Sequence, residues 1–430
     1  MKRALLVLLL CVMFVATTFG LDLSIAPGLS IKNAFLYTIV VIYMIETAVF
    51  HNRRFELASV IVPFALLVGY SILSWFTVAF VVQSPRYLVL EAAISLKANR
   101  FDHLLLFLLF FYALSSREDV LALLRMFLWI LVFGNLITVV DGFDIPDLGI
   151  IQQREDGRMG GPMGESNQYG ALIALTLPAI AALAWDSKTK KILAYFGSFV
   201  SIVALLVASS RGAFVGLIVG SLFSIFYLRN YISMRRVAIG SIVTLGIIIV
   251  LVIVLVNTEL VSELIQRFTD KLSGSAGDIS SNRTNIWLTA LRQMSESPLS
   301  FFTGFGWNAY DYINRIGVNT HNVYLNHLFN LGLLGLVLYC LLMYQLIANG
   351  RKAISVATDN ARYQLIAFVF GLSSLCFALF FVDLYQAWNW IWAYAGLVMR
   401  LAVSSLKKGE LKMSHTVKSS IKPSSGEGIV

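Results

Sequence analysis

Apolar stretches long enough to cross a lipid bilayer recur from one end of this 430-residue chain to the other. About 20 apolar residues suffice, because a helix rises about 1.5 Å per residue and the hydrocarbon layer is roughly 30 Å thick. Lipid offers the backbone no hydrogen-bond partners, so each stretch must be a helix or a strand of a closed barrel. Barrel strands alternate apolar and polar residues, which runs such as 237–256 do not. The pattern predicts an all-α polytopic membrane protein.

Twelve stretches of this kind are predicted to span the membrane. They lie at residues 4–20, 33–50, 57–82, 101–116, 118–140, 169–186, 191–208, 212–228, 237–256, 323–347, 363–382 and 384–403. Short segments rich in Lys and Arg alternate with longer segments that carry fewer of them, and the short basic kind is typical of the cytoplasmic side. The alternation predicts cytoplasmic N- and C-termini, with the long segment 257–322 outside, directly before the tenth helix.

The domain organisation follows from these spans. Residues 1–403 are expected to form a single transmembrane domain, with no internal repeat and no second folded domain. Residues 404–430 are rich in Ser, Lys and Gly and are predicted to form a disordered cytoplasmic tail. The start resembles a signal peptide, but Thr17–Gly20 fits a cleavage site poorly, so we interpret it as a retained first helix.

Charge and cysteine content exclude several function classes. The net charge of +9 is distributed by topology and forms no binding patch, and no nucleic-acid motif is present, so nucleic acid is not an expected partner. Cys11, Cys340 and Cys376 all fall inside apolar stretches, which argues against a disulfide framework or a thiol metal site. Glu46 and Arg125 lie near the inner ends of their spans, where long side chains reach water. No charge lies near a midpoint, as ion-coupled transporters usually require.

Unusual polar residues concentrate in the outer segments. Arg211 sits at a tight outer turn between two apolar helices, as either an interfacial anchor or an anion ligand. In the loop 257–322, Arg283 and Trp287 are one turn apart and share a face of a predicted helix capped by Ser281-Asn282. A glycine-rich turn at Thr303–Trp307 follows, which suits close approach of backbone to a ligand. The alternative is a capped loop helix and an ordinary turn.

Further polar residues flank other spans. Arg158, Glu165 and Asn167 precede the sixth predicted helix. Trp388 and Trp392 share a face near the outer end of the last helix, after Asp383. Interfacial tryptophans commonly form an aromatic belt, and stacking on a sugar ring is the alternative.

The order of the short motifs along the chain is informative. They are Arg158 with Gly164–Asn167, then Ser210–Gly212, Arg283–Trp287, Gly304–Trp307, His321–Leu325 and Leu331–Gly335. In this order and on this side of the membrane, they resemble the O-antigen ligase and O-antigen polymerase superfamily of bacterial inner-membrane glycosyltransferases. The core of the resemblance covers about residues 150–345.

The resemblance implies transfer of a glycan from an undecaprenyl diphosphate carrier to an acceptor hydroxyl on the periplasmic face, by a multi-pass protein of the inner membrane. It implies inversion, without metal or nucleotide sugar. The outer loops contain no Asp-x-Asp motif and no nucleotide-type glycine loop, so no cofactor is expected. The implied partners are the lipid-linked oligosaccharide, a glycan or lipid acceptor, the bilayer and proteins of polysaccharide export.

The residue chemistry supports specific roles. Breaking a sugar–diphosphate bond builds negative charge, which arginine binds in a bidentate manner and fixed cations stabilise. Arg211 and Arg283 are therefore predicted to be catalytic, together with His321 as the base for the acceptor hydroxyl. The predicted substrate-binding residues are Arg158, Asn167, Trp287, Asn322 and Trp388. His327, further along the same helix, is expected to be structural.

Several functions remain open at this stage. A polymerase joins one carrier-linked repeat to another and is favoured, because the loop around His321 is compact. A ligase instead moves the finished glycan to lipid A core or another acceptor. A transporter or flippase for a lipid-linked sugar predicts a central polar cavity and often repeat symmetry. A non-catalytic scaffold predicts that Arg211, Arg283 and His321 are scattered in space.

Overall fold

The computed structural model describes most of the chain. The described residues are 2–20, 24–50, 57–143, 151, 158–233, 235, 282–315, 317–384 and 387–420. The ninth predicted span, 237–256, lies outside them, as does the whole segment 257–281 that precedes Asn282.

Helices make up most of the first half of the described chain. They are α1 (Lys2–Thr18), α2 (Ile31–Phe50), α3 (Ala58–Phe76, continued by a π-helix over Thr77–Val82), α4 (Val89–Leu96), α5 (Asp102–Tyr112), α6 (Arg117–Gly142), α7 (Ser166–Ala182), α8 (Lys191–Ala208) and α9 (Arg211–Tyr227). A small antiparallel hairpin of β1 (Ser24–Ala26) and β2 (Leu29–Ser30) connects α1 to α2.

The second half begins with short helices and ends with long ones. They are α10 (Arg283–Ser295), α11 (Pro298–Thr303), α12 (Ala309–Ile313), α13 (Val323–Ile354), α14 (Asp359–Ala378) and α15 (Ala387–Ser420). The segment predicted as a tail, 404–430, begins inside α15, and its residues 421–430 lie outside the described residues.

Six helical stretches in the described chain are long and apolar enough to cross a membrane. They are Ala58–Val82, Arg117–Gly142, Ser166–Trp185, Lys191–Ala208, Val323–Ile354 and Asp359–Ala378, and α9 is apolar but shorter. Each coincides with a predicted span, and the all-α polytopic class is thereby confirmed. The number of twelve spans and the orientation of the termini stay predictions.

The fourth predicted span differs from the observed helix. That span is predicted to begin at residue 101, yet α4 runs through a π-helical turn at Lys97–Phe101 directly into α5. Lys97 does not end the helix because its ammonium pairs with the Asp102 carboxylate at 3.1 Å and donates to Gly28 O at 2.7 Å. A charge that is neutralised locally does not need to face water.

The charges near the predicted inner ends of two spans form ion pairs. Glu46 forms an ion pair with Lys2 at 2.7 Å. Arg125 donates to the buried Asp186 at 2.8 Å, and Asn360 donates to the same carboxylate at 2.9 Å. The side chains of Glu46 and Arg125 keep 30% and 18% of their surface exposed, so their contact with water stays a prediction. Asp186 joins α6 and α14 to the segment after α7.

Close helix packing in the bundle depends on small residues along α9. Gly212, Gly216 and Gly220 recur every four residues and so share one face of the helix. A Cβ on Gly216 would lie 2.6 Å from Ser374 O, and one on Gly220 would lie 2.4 Å from Ser374 Cα. The backbones of α9 and α14 thus touch, which is the small-xxx-small arrangement of membrane helix pairs.

We expect Gly220→Leu to destabilise the protein, because the new side chain would force α9 and α14 apart. Overpacking of this kind costs about 1–3 kcal/mol. A lower midpoint of thermal unfolding in detergent would report it. Gly69→Leu is the matched control, since Gly69 is exposed on α3 and a Cβ there meets no atom within 4 Å. Equal midpoints for the two variants would contradict the packing role.

Candidate functional site

The beginnings of α7 and α9 are joined by side chains from the predicted motifs. Glu165 is the N-cap of α7: its carboxylate accepts from Gln168 N at 2.7 Å and from Asn167 Nδ2 at 2.8 Å. Asn167 Oδ1 in turn accepts from Ser210 Oγ, at 3.4 Å, one residue before α9. A Cβ on Gly170 would lie 2.6 Å from Ser210 Cβ, so the two helix starts are in contact. Arg211, the first residue of α9, is thereby held beside the Glu165 segment.

The helix α10 carries the second predicted arginine. Arg283 is its first residue, and Trp287 lies one turn further on. The Trp287 indole Nε1 donates to Thr320 O at 2.9 Å. Because Thr320 directly precedes His321, this bond ties the arginine helix to the segment that carries the predicted base.

The position of His321 depends on a buried carboxylate. Asp383 is 8% exposed; its oxygens accept from Thr320 Oγ1 at 3.0 Å and from His321 N at 2.6 Å. His321 has φ of 48°, a left-handed conformation that is uncommon for non-glycine residues. The next residue, Asn322, caps α13 by accepting from Leu325 N at 3.0 Å. The imidazole thus projects from a turn that hydrogen bonds hold on both sides.

The charged residues of these segments lie within one another's electrostatic field. Burial lowers the pKa of Arg283, and the positive charges of Arg211 and Arg158 lower it further. The carboxylates of Asp383 and Glu165 act in the opposite direction. The charges of three arginines from three separate segments therefore act on one another, together with those of two carboxylates. We call this group, Arg158, Arg211 and Arg283, the arginine cluster.

This arrangement is suited to an anion that carries more than one negative charge. Like charges held close together in a partly buried site repel one another, and a bound anion removes that repulsion. The guanidinium group is also the side chain best shaped to bind phosphate through two parallel hydrogen bonds. All three arginines are partly exposed, so a ligand can reach them. Within the described residues, no group of three or more His, Cys, Asp or Glu could hold a metal ion.

The glycine-rich turn Thr303–Trp307 has a different role from the one expected. Its backbone packs on α13: Phe305 N donates to Phe329 O at 2.9 Å and Gly306 N to Asn330 O at 3.0 Å. Gly332, with φ of 65° and ψ of −170°, interrupts α13 at this point. The turn therefore supplies donors to carbonyls near the interruption, instead of presenting its backbone to a ligand.

The two tryptophans of α15 are core residues. Trp388 is 5% and Trp392 3% exposed, and their rings stack on each other at 5.5 Å. Trp392 also packs on Phe64, with ring centroids 4.5 Å apart. An aromatic belt at the membrane interface is therefore not what these residues form. Trp388 borders a polar cavity that also contacts Asp383.

Two carboxylates of the site were visible in the sequence but received no role there. Asp383 and Glu165 each directly precede or follow an apolar stretch of the sequence. Their partners come from segments distant in sequence, so residue type and spacing did not indicate what they contact. The one feature of the sequence that could have identified them as site residues is that each is a lone carboxylate at the edge of an apolar span.

The sequence also matches a known family. Residues 196–340 match the family described as O-antigen ligase. No curated protein matches the chain significantly. The matched stretch contains Arg211, Arg283 and His321, and its position agrees with the motifs identified in the sequence. Over residues 196–340, about a third of its length, the chain is thus similar to the O-antigen ligase family.

Proposed function

We propose that this membrane protein is a glycosyltransferase of the bacterial inner membrane, acting in surface polysaccharide biosynthesis. It transfers a glycan from an undecaprenyl diphosphate carrier to an acceptor hydroxyl at the periplasmic face. The family match supports the general activity, a transfer of the O-antigen ligase type. The arginine cluster supports the diphosphate-linked donor.

The convergence of Arg158, Arg211 and Arg283 carries this proposal. Each comes from a different part of the chain, and positive charges are brought together against their mutual repulsion. A diphosphate leaving group offsets that repulsion and gains negative charge as the sugar–oxygen bond breaks. Fixed positive groups aimed at developing charge are a large source of rate acceleration. In this proposal the arginines take the place that a metal ion has in other glycosyl transfers.

His321 is the proposed base. It accepts the proton of the acceptor hydroxyl as the new bond to the anomeric carbon forms and the bond to the diphosphate oxygen breaks. The attacking and leaving oxygens lie on opposite faces of the sugar, which inverts the configuration. The bond from Trp287 Nε1 to Thr320 O fixes the distance between the arginine helix and this base. Such fixed placement of reacting groups is a main source of catalysis.

Among the expected substrate-binding residues, Arg158 belongs to the cluster and Asn167 bonds to Ser210 beside Arg211, and both are proposed to contact the donor. Trp287 and Asn322 are proposed to act by positioning, since Trp287 anchors the His321 segment and Asn322 caps α13. Trp388 is proposed to contact a sugar from the neighbouring cavity.

Polymerase is the favoured form of the activity, and ligase is the alternative. The His321 segment is compact, running from Thr320 directly into α13, and so suits a second carrier-linked repeat as acceptor. The family description names the ligase activity, which keeps lipid A core or another final acceptor as the second candidate.

Glycan profiles from a strain lacking the gene test the proposal. We expect Arg211→Ala, Arg283→Ala and His321→Ala each to lower transfer by about 10²–10³-fold, because each removes a group that stabilises the transition state. Gels of the surface glycan would then lack long chains for a polymerase, or lack attached chains for a ligase. Arg315→Ala is the matched control, since this exposed arginine of the same outer region pairs with Glu296. Wild-type glycans from all three expressed variants would contradict the enzyme and favour the transporter.

Transfer is also expected to depend on pH through Asp383. Burial raises the pKa of this carboxyl to about 6, although Thr320 and the His321 amide lower it in part. The carboxylate is charged above about pH 6, where it orients His321 and faces Arg283. Activity in membrane vesicles should therefore fall as the pH is lowered through about 6.

The free energy of unfolding is expected to change with pH in the opposite direction. The unfolded chain releases the Asp383 proton at a lower pH than the folded protein does, so burial of the charge lowers the stability of the fold as the pH rises from about 4 to 6.

The variant Asp383→Asn separates this carboxyl from other titrating groups. The asparagine keeps the shape of the side chain and cannot ionise. We therefore expect low activity at every pH, without the fall near pH 6 that the wild-type carboxyl causes. If Asp383→Asn shows the same acid-side decline as the wild type, another group is responsible.

A further inference from the structure

A second polar region borders Asp383 and contains none of the proposed catalytic arginines. It is a cavity of about 50 Å³, which is room for about three to five ordered waters. Arg100, Trp307, Asp311, Asn326 and His327 line it together with Asp383. We call it the Arg100 pocket. Its walls come from the α4–α5 connection, from the region of α12, and from α13 and α15.

Arg100 is held at this pocket by neutral partners. Its Nη2 lies 2.7 Å from His327 Nε2, and its Nε donates to Ser71 Oγ at 3.3 Å. The guanidinium lies over the Trp307 ring, 4.4 Å from the centroid. Among the residues that the structure describes, no carboxylate lies within ion-pair distance of Arg100. These contacts thus fix the position of the Arg100 side chain, while no carboxylate of the described residues forms an ion pair with it.

The hydrogen bonds also define the tautomer of His327. Arginine has only donors, so His327 Nε2 must accept from it. The other ring nitrogen, Nδ1, lies 2.8 Å from Val323 O and must therefore carry the proton. His327 is accordingly a neutral positioning residue for Arg100, in agreement with the structural role expected from the sequence.

The amide side chains of the pocket are fixed in orientation before any ligand binds. Asn330 accepts from Tyr310 N at 2.8 Å and donates to Asn326 Oδ1 at 2.8 Å. Asn308 accepts from Ser95 Oγ at 3.2 Å, and Asn99 donates to the same hydroxyl at 3.2 Å. A wall of oriented amides, carboxylates and indole edges offers both donors and acceptors at short spacing. Hydroxyl groups, which both donate and accept, match such a wall.

The charge of the pocket decides between a sugar and a second diphosphate. One arginine faces two carboxylates there, Asp311 and Asp383, so the balance does not favour an anion. The volume matches the hydroxyl-bearing edge of one sugar ring. Asp383, which lines this pocket, also accepts from the backbone amide of His321, so a single carboxylate links the pocket to the residue proposed as the base for the acceptor hydroxyl. We propose that the Arg100 pocket is a binding subsite for the acceptor saccharide. This proposal rests on the glycosyltransferase function proposed above.

Steady-state transfer by the purified, lipid-reconstituted protein tests this subsite. The donor is the carrier-linked polymerised glycan and the acceptor, varied separately, is the single carrier-linked repeat unit, both extracted from the same bacterium; the competing probe is the repeat oligosaccharide released from its carrier. We expect Asn326→Ala to raise the acceptor KM and weaken inhibition by the released oligosaccharide, each by about tenfold, because a hydrogen-bonding group and the orientation of Asn330 are lost. The donor KM should change much less.

Asn349→Ala is the matched control, since Asn349 lies on the same helix and bonds to Ser59 at 3.1 Å, remote from the pocket. Asp311→Asn is a second pocket variant, at an exposed residue whose substitution disturbs packing less. If Asn326→Ala unfolds at a lower temperature than the control, the acceptor KM of Asp311→Asn is the test of the subsite. An unchanged acceptor KM in a folded pocket variant would overturn the subsite, and so would a rise in the donor KM alone. If the wild-type protein itself transfers no glycan, the proposed function fails rather than the subsite.

Discussion

The buried carboxylate of Asp383 is the contact on which the candidate site depends. It accepts hydrogen bonds from Thr320 and from the backbone of His321, more than sixty residues earlier in the chain. Hydrogen bonds to a charged group contribute about 1.5–3 kcal/mol each, which offsets part of the cost of burying the charge. The bond from Val323 N to Leu379 O, at 3.0 Å, joins the same two regions through the backbone. Together these contacts place the start of α13 beside the loop between α14 and α15.

The arginine cluster carries an electrostatic cost. Burial lowers the pKa of Arg283, as do the positive charges of Arg211 and Arg158, and burial and Arg158 lower the pKa of Arg211. The carboxylates of Asp383 and Glu165 act in the opposite direction on Arg283. Groups whose pKa is shifted by burial and by specific charged neighbours are typical of functional sites. Away from the cluster, the helices pack through close contacts such as Gly220 on Ser374.

Asp383 therefore links the two polar regions of the protein, the arginine cluster and the Arg100 pocket. On the cluster side, Asp383 acts electrostatically on Arg283, and it also borders the Arg100 pocket. In the proposed reaction the first region takes the diphosphate and the second takes a sugar, with His321 attached to the shared carboxylate. The interruption of α13 at Gly332 and the turn that packs on it hold Asn330 at the wall of the pocket.

The sequence by itself determined the membrane class, the positions of the long spans and the arginine and histidine residues of the proposed site. Hydrophobicity acts over about 20 consecutive residues, and the motifs are contiguous, so both are legible in one dimension. Only the tertiary structure decided that Trp388 is buried, that Arg125 pairs with Asp186, and that Arg100 rests on Trp307. It also decided that Asp383 holds His321. Each of these contacts joins residues from separate helices, and no local pattern specifies which polar groups will meet when apolar helices pack.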